Sequence, residues 1–299
     1  MMKYLMKSEK ANATFLVTIS FTALLALTGL VVDGGMLYMT HQHLQKAANA
    51  SVLSGGQELT QEEEVVRQIV DETLEHHDEL SSFKGITIVK ENRVTLELEK
   101  PVETTFMKLF GIDSVDVEVR ATARVGPMGR AKGVAPLGID ESIELIYGQE
   151  YTLKVDEHDS DTGFFGALAI DGTGASTYKE TLINGSLSEL KVGDIVDTET
   201  GNMAGPTNKA VKTLVDSVCE NMYERDCPRV LLIPVYKPYN HDQNQMKQVE
   251  ITGFAYFYVT EPMDKHNKTV TGVFIERTGT GYELDEAVDR GAFIVRLTE

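Results

Sequence analysis

The chain has 299 residues, with 28 Lys and Arg against 46 Asp and Glu and a formal net charge of −18. That length exceeds one small domain and suits an anchor followed by two compact units. So acidic a surface repels nucleic acid and anionic headgroups, which excludes polyanion binding as the main function.

Thr14 to Val32 is an apolar run of nineteen residues without Asp, Glu, Lys or Arg, close to the ~20 needed to cross a hydrocarbon core. A cleaved signal has a shorter apolar stretch and a small-residue cleavage site. Here the run ends in Val31-Val32-Asp33-Gly34, so residues 14–32 are read as an uncleaved transmembrane anchor. Lys3, Lys7 and Lys10 precede it and only Lys46 follows closely. The positive-inside bias then puts residues 1–13 in the cytoplasm and the bulk of the chain outside the cell membrane.

Beyond the anchor the helical period continues through Leu37, Leu44, Ala47, Ala48, Ser51 and Val52, with Gly34-Gly35 as a weak point where a bend is expected. A second helix is predicted after Gly55-Gly56, capped by Thr60 with Glu63 and carrying Val65, Val66, Ile69, Val70 and Leu74 on its apolar stripe. His76 and His77 sit at its end, about 100° apart around the axis, a poor chelate. The period then becomes two. Ile86 and Ile88, then Val94, Leu96 and Leu98, then Ser114 to Val125 read as strands. Thr105 to Gly111 forms a short helical turn between them, stopped by glycine. One helix laid on a three-stranded antiparallel sheet would bury these residues. Gly126 to Gly133 breaks both periods and reads as a linker.

Gly29-Leu30-Val31-Val32-Asp33-Gly34-Gly35, His43-Leu44-Gln45-Lys46-Ala47-Ala48-Asn49-Ala50 and Leu53-Ser54-Gly55-Gly56 resemble the N-terminal segment of TadG-like Flp pilus-assembly proteins. Asp33, Gly34, Leu44, Gln45, Ala47 and Ala48 carry the motif, and Asn49 stands where the pattern usually has aspartate. The segment from Thr105-Phe106 to Gly111-Ile112, and the strand through Ala121-Thr122-Ala123, are similar to the region that follows. The resemblance implies a membrane-anchored component of the tight-adherence (Flp, type IVb) pilus system, with pilus-assembly or pilin-like proteins as partners. Many longer relatives carry a von Willebrand A domain with an Asp-x-Ser-x-Ser metal site. Asp140-Glu141-Ser142-Ile143-Glu144 lacks the second serine. A prepilin-peptidase site is absent too, so an accessory component is expected rather than a major pilin.

Residues 134–299 are expected to form a β-rich extracytoplasmic unit, which makes the chain α+β overall. Leu145–Tyr147, Tyr151–Val155, Phe164–Ile170, Val230–Tyr236, Val249–Val259, Val270–Glu276 and Phe293–Leu297 are strand-like. Asn184-Gly185 marks a turn. Pro206 opens a helix with Val211, Leu214, Val215 and Val218 on one face. Cys219 and Cys227, the two cysteines of the chain, read outside the membrane as a disulfide clipping that helix to a core strand. A redox or metal pair lacks the right spacing and a histidine cluster.

Three tempting sites come to little. Asp156 to Asp161 has oxygen-ligand spacing but no bidentate glutamate further on, so a solvated loop is expected rather than calcium binding. No Gly-x-Ser-x-Gly elbow is present. Tyr256, Phe257 and Tyr258 lie on one strand, with Phe257 expected opposite both tyrosines. The chain is thus expected to be no enzyme, with no catalytic, cofactor or metal residue and no small-molecule substrate, acting by protein–protein contact. A membrane-tethered extracytoplasmic enzyme or a ligand-binding receptor domain is the alternative.

Overall fold

A computed structural model describes residues 9–154, 165–199, 202–239, 246–264, 266, 268–284 and 286–298. The acidic segment Asp156 to Asp161 lies outside the described residues. The fold is mixed α and β: a long apolar N-terminal helix, a short second helix, and two curled sheets, each of seven strands among the described residues, that make the C-terminal region β-rich.

Helix α1, Glu9–Gly56, runs 48 residues without interruption through Gly34-Gly35. Its first half is exposed and apolar, from Phe15 to Val32. Thr18, Thr22 and Thr28 turn their hydroxyls back to the carbonyls four residues earlier at 2.8–2.9 Å, so those polar groups are satisfied inside the helix. The second half is packed: Leu44, Ala48 and Val52 are fully buried in a core that also takes Val66, Val70 and Leu74 of helix α2, Glu63–His76. Thr60 does not cap α2. Glu62 occupies the N-cap position and makes no side-chain cap bond, because Leu59 is drawn into the core and the 57–60 turn sets the helix start.

Both helices lie on the first sheet. Strands β1 (Phe83–Val89), β2 (Arg93–Glu103) and β3 (Ser114–Ala131) pair antiparallel in sequence order. The alternation of Val117, Val119, Ala121, Ala123 and Val125 faces the helices. Residues 126–131 are not a linker: they continue β3, whose 18 residues cross from the first sheet to the second body of the fold. The last strand, β14 (Ala292–Thr298), returns to pair with β3 from Phe293↔Pro127 to Thr298↔Thr122.

The second sheet orders β5 (Glu150–Lys154), β11 (Thr269–Ile275), β10 (Gln248–Val259), β9 (Val230–Tyr239), β4 (Leu137–Asp140) and β6 (Phe165–Ala167), with β8 (Ile195–Asp197) added on β10. The short pieces β7 (Leu190–Lys191) and β13 (Tyr282–Glu283) pair with β3, and β12 (Arg277–Gly279) pairs parallel with β14. Helices α3 (Ala175–Asn184) and α4 (Ala204–Val215) cover one face of the second sheet through Tyr178, Leu182, Val211 and Leu214. Its other face meets the first sheet in a core of Met128, Leu232, Tyr236, Phe254 and Ile294. Period-two alternation explains the sorting: Ile233 and Val235 face the helices, Leu232 and Tyr236 the first sheet.

Several sequence expectations change here. Residues 145–147 are not a strand, and of the described residues in the 164–170 run the strand takes Phe165–Ala167. Asn184-Gly185 ends α3, a helix the sequence reading did not anticipate. Helix α4 stops at Val215, which leaves Val218 93 % exposed rather than on an apolar face. The alternation at 256–258 is as expected: Phe257 is fully buried in one core, Tyr256 packs against the opposite core, and Tyr258 lies beneath the Arg229 guanidinium at 4.9 Å.

Candidate interaction site

The site begins at the point where α1 passes from exposed to packed. Asp33 is only 1 % exposed, and its carboxylate accepts three consecutive backbone amides across the fold. Thr105 N–H donates to Oδ1 at 2.8 Å, and Phe106 and Met107 N–H donate to Oδ2 at 2.8 and 2.6 Å. These amides open the 3₁₀ turn Met107–Phe110, which ends at Gly111 in the left-handed region, φ +82°. The first amides of a turn have no partner within it, and a carboxylate satisfies them with favourable charge. Burial pushes the Asp33 pKa up, but the amides of Met107, Thr105 and Phe106 outweigh it and the net direction is down. One turn earlier, Gly29 makes the approach possible: a Cβ there would lie 2.5 Å from the Phe106 ring. Asp33 and Gly29 together therefore clasp the β2–β3 connection against the helix.

The other motif residues have different positions. Leu44, Ala47 and Ala48 are fully buried where α1 meets the sheet. Gln45 donates from Nε2 to Asn49 Oδ1 at 2.9 Å and to the Arg120 carbonyl at 3.2 Å. Gly34 lies open, with nothing within 4 Å of a Cβ added there. The structure thus brings Asp33 to the clasp, seats four motif residues on the sheet and leaves Gly34 aside.

Glu79 is a second buried carboxylate that ties α1 to the sheet. It accepts Lys100 Nζ at 2.6 Å and Ser82 Oγ at 2.5 Å, and His43 Nε2 of α1 stands 3.5 Å away. Burial raises its pKa, but the hydrogen bonds from Lys100 and Ser82 and the charges of Lys100 and His43 together outweigh it, so the net direction is down. Glu79→Ala strands a lysine and a hydroxyl together. A loss of about 2–3 kcal/mol in denaturant unfolding is expected; a loss below about 0.5 kcal/mol would show that solvent already supplies both partners.

Cys219 and Cys227 form a disulfide, with Cα atoms 5.4 Å apart. It closes the connection between α4 and β9, with Cys227 buried and Cys219 in the turn after the helix. Replacing both by serine is expected to cost about 2–3 kcal/mol, the loop-closure contribution of so short a ring, measured as the same loss on adding reductant to the native chain.

Among the described residues, no group of three or more His, Cys, Asp or Glu converges. Asp140 Oδ1 instead accepts Ser142 N–H and Oγ–H at 2.9 and 2.6 Å, a local turn rather than a ligand set. An open groove of about 500 Å³ lies between α1 and β3, lined by Leu37, Tyr38, His41, Val115, Val117 and neighbours.

The geometry describes a protein whose long helix is apolar outside and fused to a folded body further along. Residues 11–58 match a family model described as putative Flp pilus-assembly TadE/G-like. That stretch contains Asp33, Gly34, Leu44, Gln45, Ala47 and Ala48, so the motif residues all fall in the segment that is similar to this family. No curated protein and no solved structure matches the chain.

Proposed function

We propose that the chain is a membrane-anchored accessory component of Tad/Flp pilus assembly that acts by protein–protein contact rather than by catalysis. Residues 14–32 span the membrane, the N-terminus is cytoplasmic, and residues 34–298 project outside as a scaffold for other pilus-assembly or pilin-like proteins. The observation that carries this reading is the split character of α1. It has one apolar half long enough to cross a bilayer and a second half built into the core. The extracytoplasmic placement is also supported by the disulfide, since such bonds persist in oxidising compartments.

The test is cross-linking and co-purification from detergent-solubilised membranes, comparing the full chain with a version that starts at Gly34. Recovery of pilus secretion components by the full chain alone places recognition in the anchor. Equal recovery moves it to the projecting body. Recovery by neither overturns the assembly reading.

A further inference from the structure

The β2–β3 connection carries apolar side chains that the clasp does not use. Asp33 and Gly29 hold Thr105, Phe106 and Met107, while Leu109 and Phe110 point away from the body, 81 % and 79 % exposed, with Ile112 also open. Among the described residues outside α1, the other strongly exposed apolar side chains stand singly, as Leu187 does between two serines, and single ones are ordinary. Here three lie within four residues, two on the 3₁₀ turn and Ile112 just past its closing glycine.

Their position gives the patch its occupant. Phe106 packs on Gly29, three residues before the apolar run ends at Val32. At 1.5 Å per residue that is about 5 Å inside the end of the spanning segment, the depth at which amphipathic segments lie in the boundary between headgroups and acyl chains. Leu30, Val31 and Val32 of α1, which lie in the chain between the Gly29 contact and Asp33, are themselves exposed. Charge agrees. In a chain of net charge −18, residues 104–112 contain no acidic residue and one cation, Lys108. Its ammonium is largely exposed and lies 3.9 Å from Asp113, on a stem long enough to reach the headgroups while Leu109 and Phe110 go deeper.

We propose that the Thr105–Ile112 tip is a second membrane contact, a wedge that sinks Leu109 and Phe110 into the outer leaflet beside the anchor. This rests on the reading of residues 14–32 as membrane-spanning. The wedge lies at a fixed position against α1, so the body rests on the bilayer at two points and does not swivel about a single helix.

The chain contains no tryptophan, so one introduced indole reports alone. The full chain is reconstituted into phosphatidylcholine vesicles whose acyl chains carry bromine either near the headgroup or near the chain end. Three variants are compared: Phe110→Trp at the tip, Leu30→Trp in the span and Leu187→Trp on the far body, all at exposed positions that the fold tolerates. The expected result is a blue-shifted emission for Phe110→Trp that loses most of its intensity to the shallow bromines, loss for Leu30→Trp, and none for Leu187→Trp. Loss for Leu30→Trp without loss for Phe110→Trp overturns the wedge and leaves the anchor standing. Loss at neither position overturns both. Loss for Phe110→Trp alone supports lipid contact by the tip and overturns the span.

Discussion

Ending the chain at Gly291 is expected to abolish folding of the whole body, not merely to fray one edge. Strand β14 sits between β3 and β12 in the first sheet, and its residues divide between two cores. Phe293 faces the helices, and Ala292 and Ile294 face the second sheet. Burial of Phe293 and Ile294, with part of Val295, contributes about 4–8 kcal/mol. A domain has about 5–15 kcal/mol in total. The truncation would also strip the ladder partner from residues 122–127 of β3, leaving a long edge open to other chains. Limited proteolysis and near-ultraviolet dichroism of the truncated chain, in detergent beside the full chain, give the answer. A protease-resistant core covering residues 33–125 would show that the first sheet stands without β14, and would restore the two-unit division expected from the sequence.

Asp33→Ala is expected to release the tip while sparing the cores. The amides of Thr105, Phe106 and Met107 lose a charged acceptor at once, and their hydrogen exchange in the full chain should accelerate by at least about tenfold. Asp33→Asn keeps one acceptor oxygen and should fall between. The sign of the pH effect follows from the depressed pKa of Asp33. The clasp is complete above the unfolded-state value of about 4 and is lost as pH falls through the lower folded-state value. Glu79 and Asp171, both also shifted downward by their hydrogen bonds against the cost of burial, lose stabilisation in the same direction. Acid should therefore loosen the tip and the α1–sheet seam below about pH 4, with no change between pH 6 and 8 from these groups. Unchanged exchange at residues 105–107 in Asp33→Ala would mean that Gly29 and Phe106 suffice to hold the turn.

What could be read from the sequence was whatever depends on local period. The apolar run, the alternation from Ser114 to Val125, the turn before Gly111 and the strands around residues 230–259 all follow from spacing, and the structure places them accordingly. The misreadings share a physical cause. Gly126-Pro127-Met128-Gly129 has the composition of a loop, yet it continues β3 because other chain segments come unusually close there. A Cβ at Gly129 would lie 2.4 Å from Leu284, so small residues are what the packing demands. Thr60 and Glu63 have capping-box spacing, but the burial of Leu59 sets the helix start instead. The clasp had no local signal. Asp33 was singled out by family resemblance alone, and its partners lie 72 to 74 residues further on.

Because α1 is unbroken at Gly34-Gly35 and pinned by Asp33 just beyond its apolar half, the helix is a stiff lever. From Asp33 to Gly56 it extends about 36 Å at 1.5 Å per residue. A change of about 20° in anchor tilt, the ordinary mean for spanning helices, would swing its far end by about 12 Å. With residues 14–32 spanning a bilayer as proposed, its thickness would then set where the distal face of the body stands.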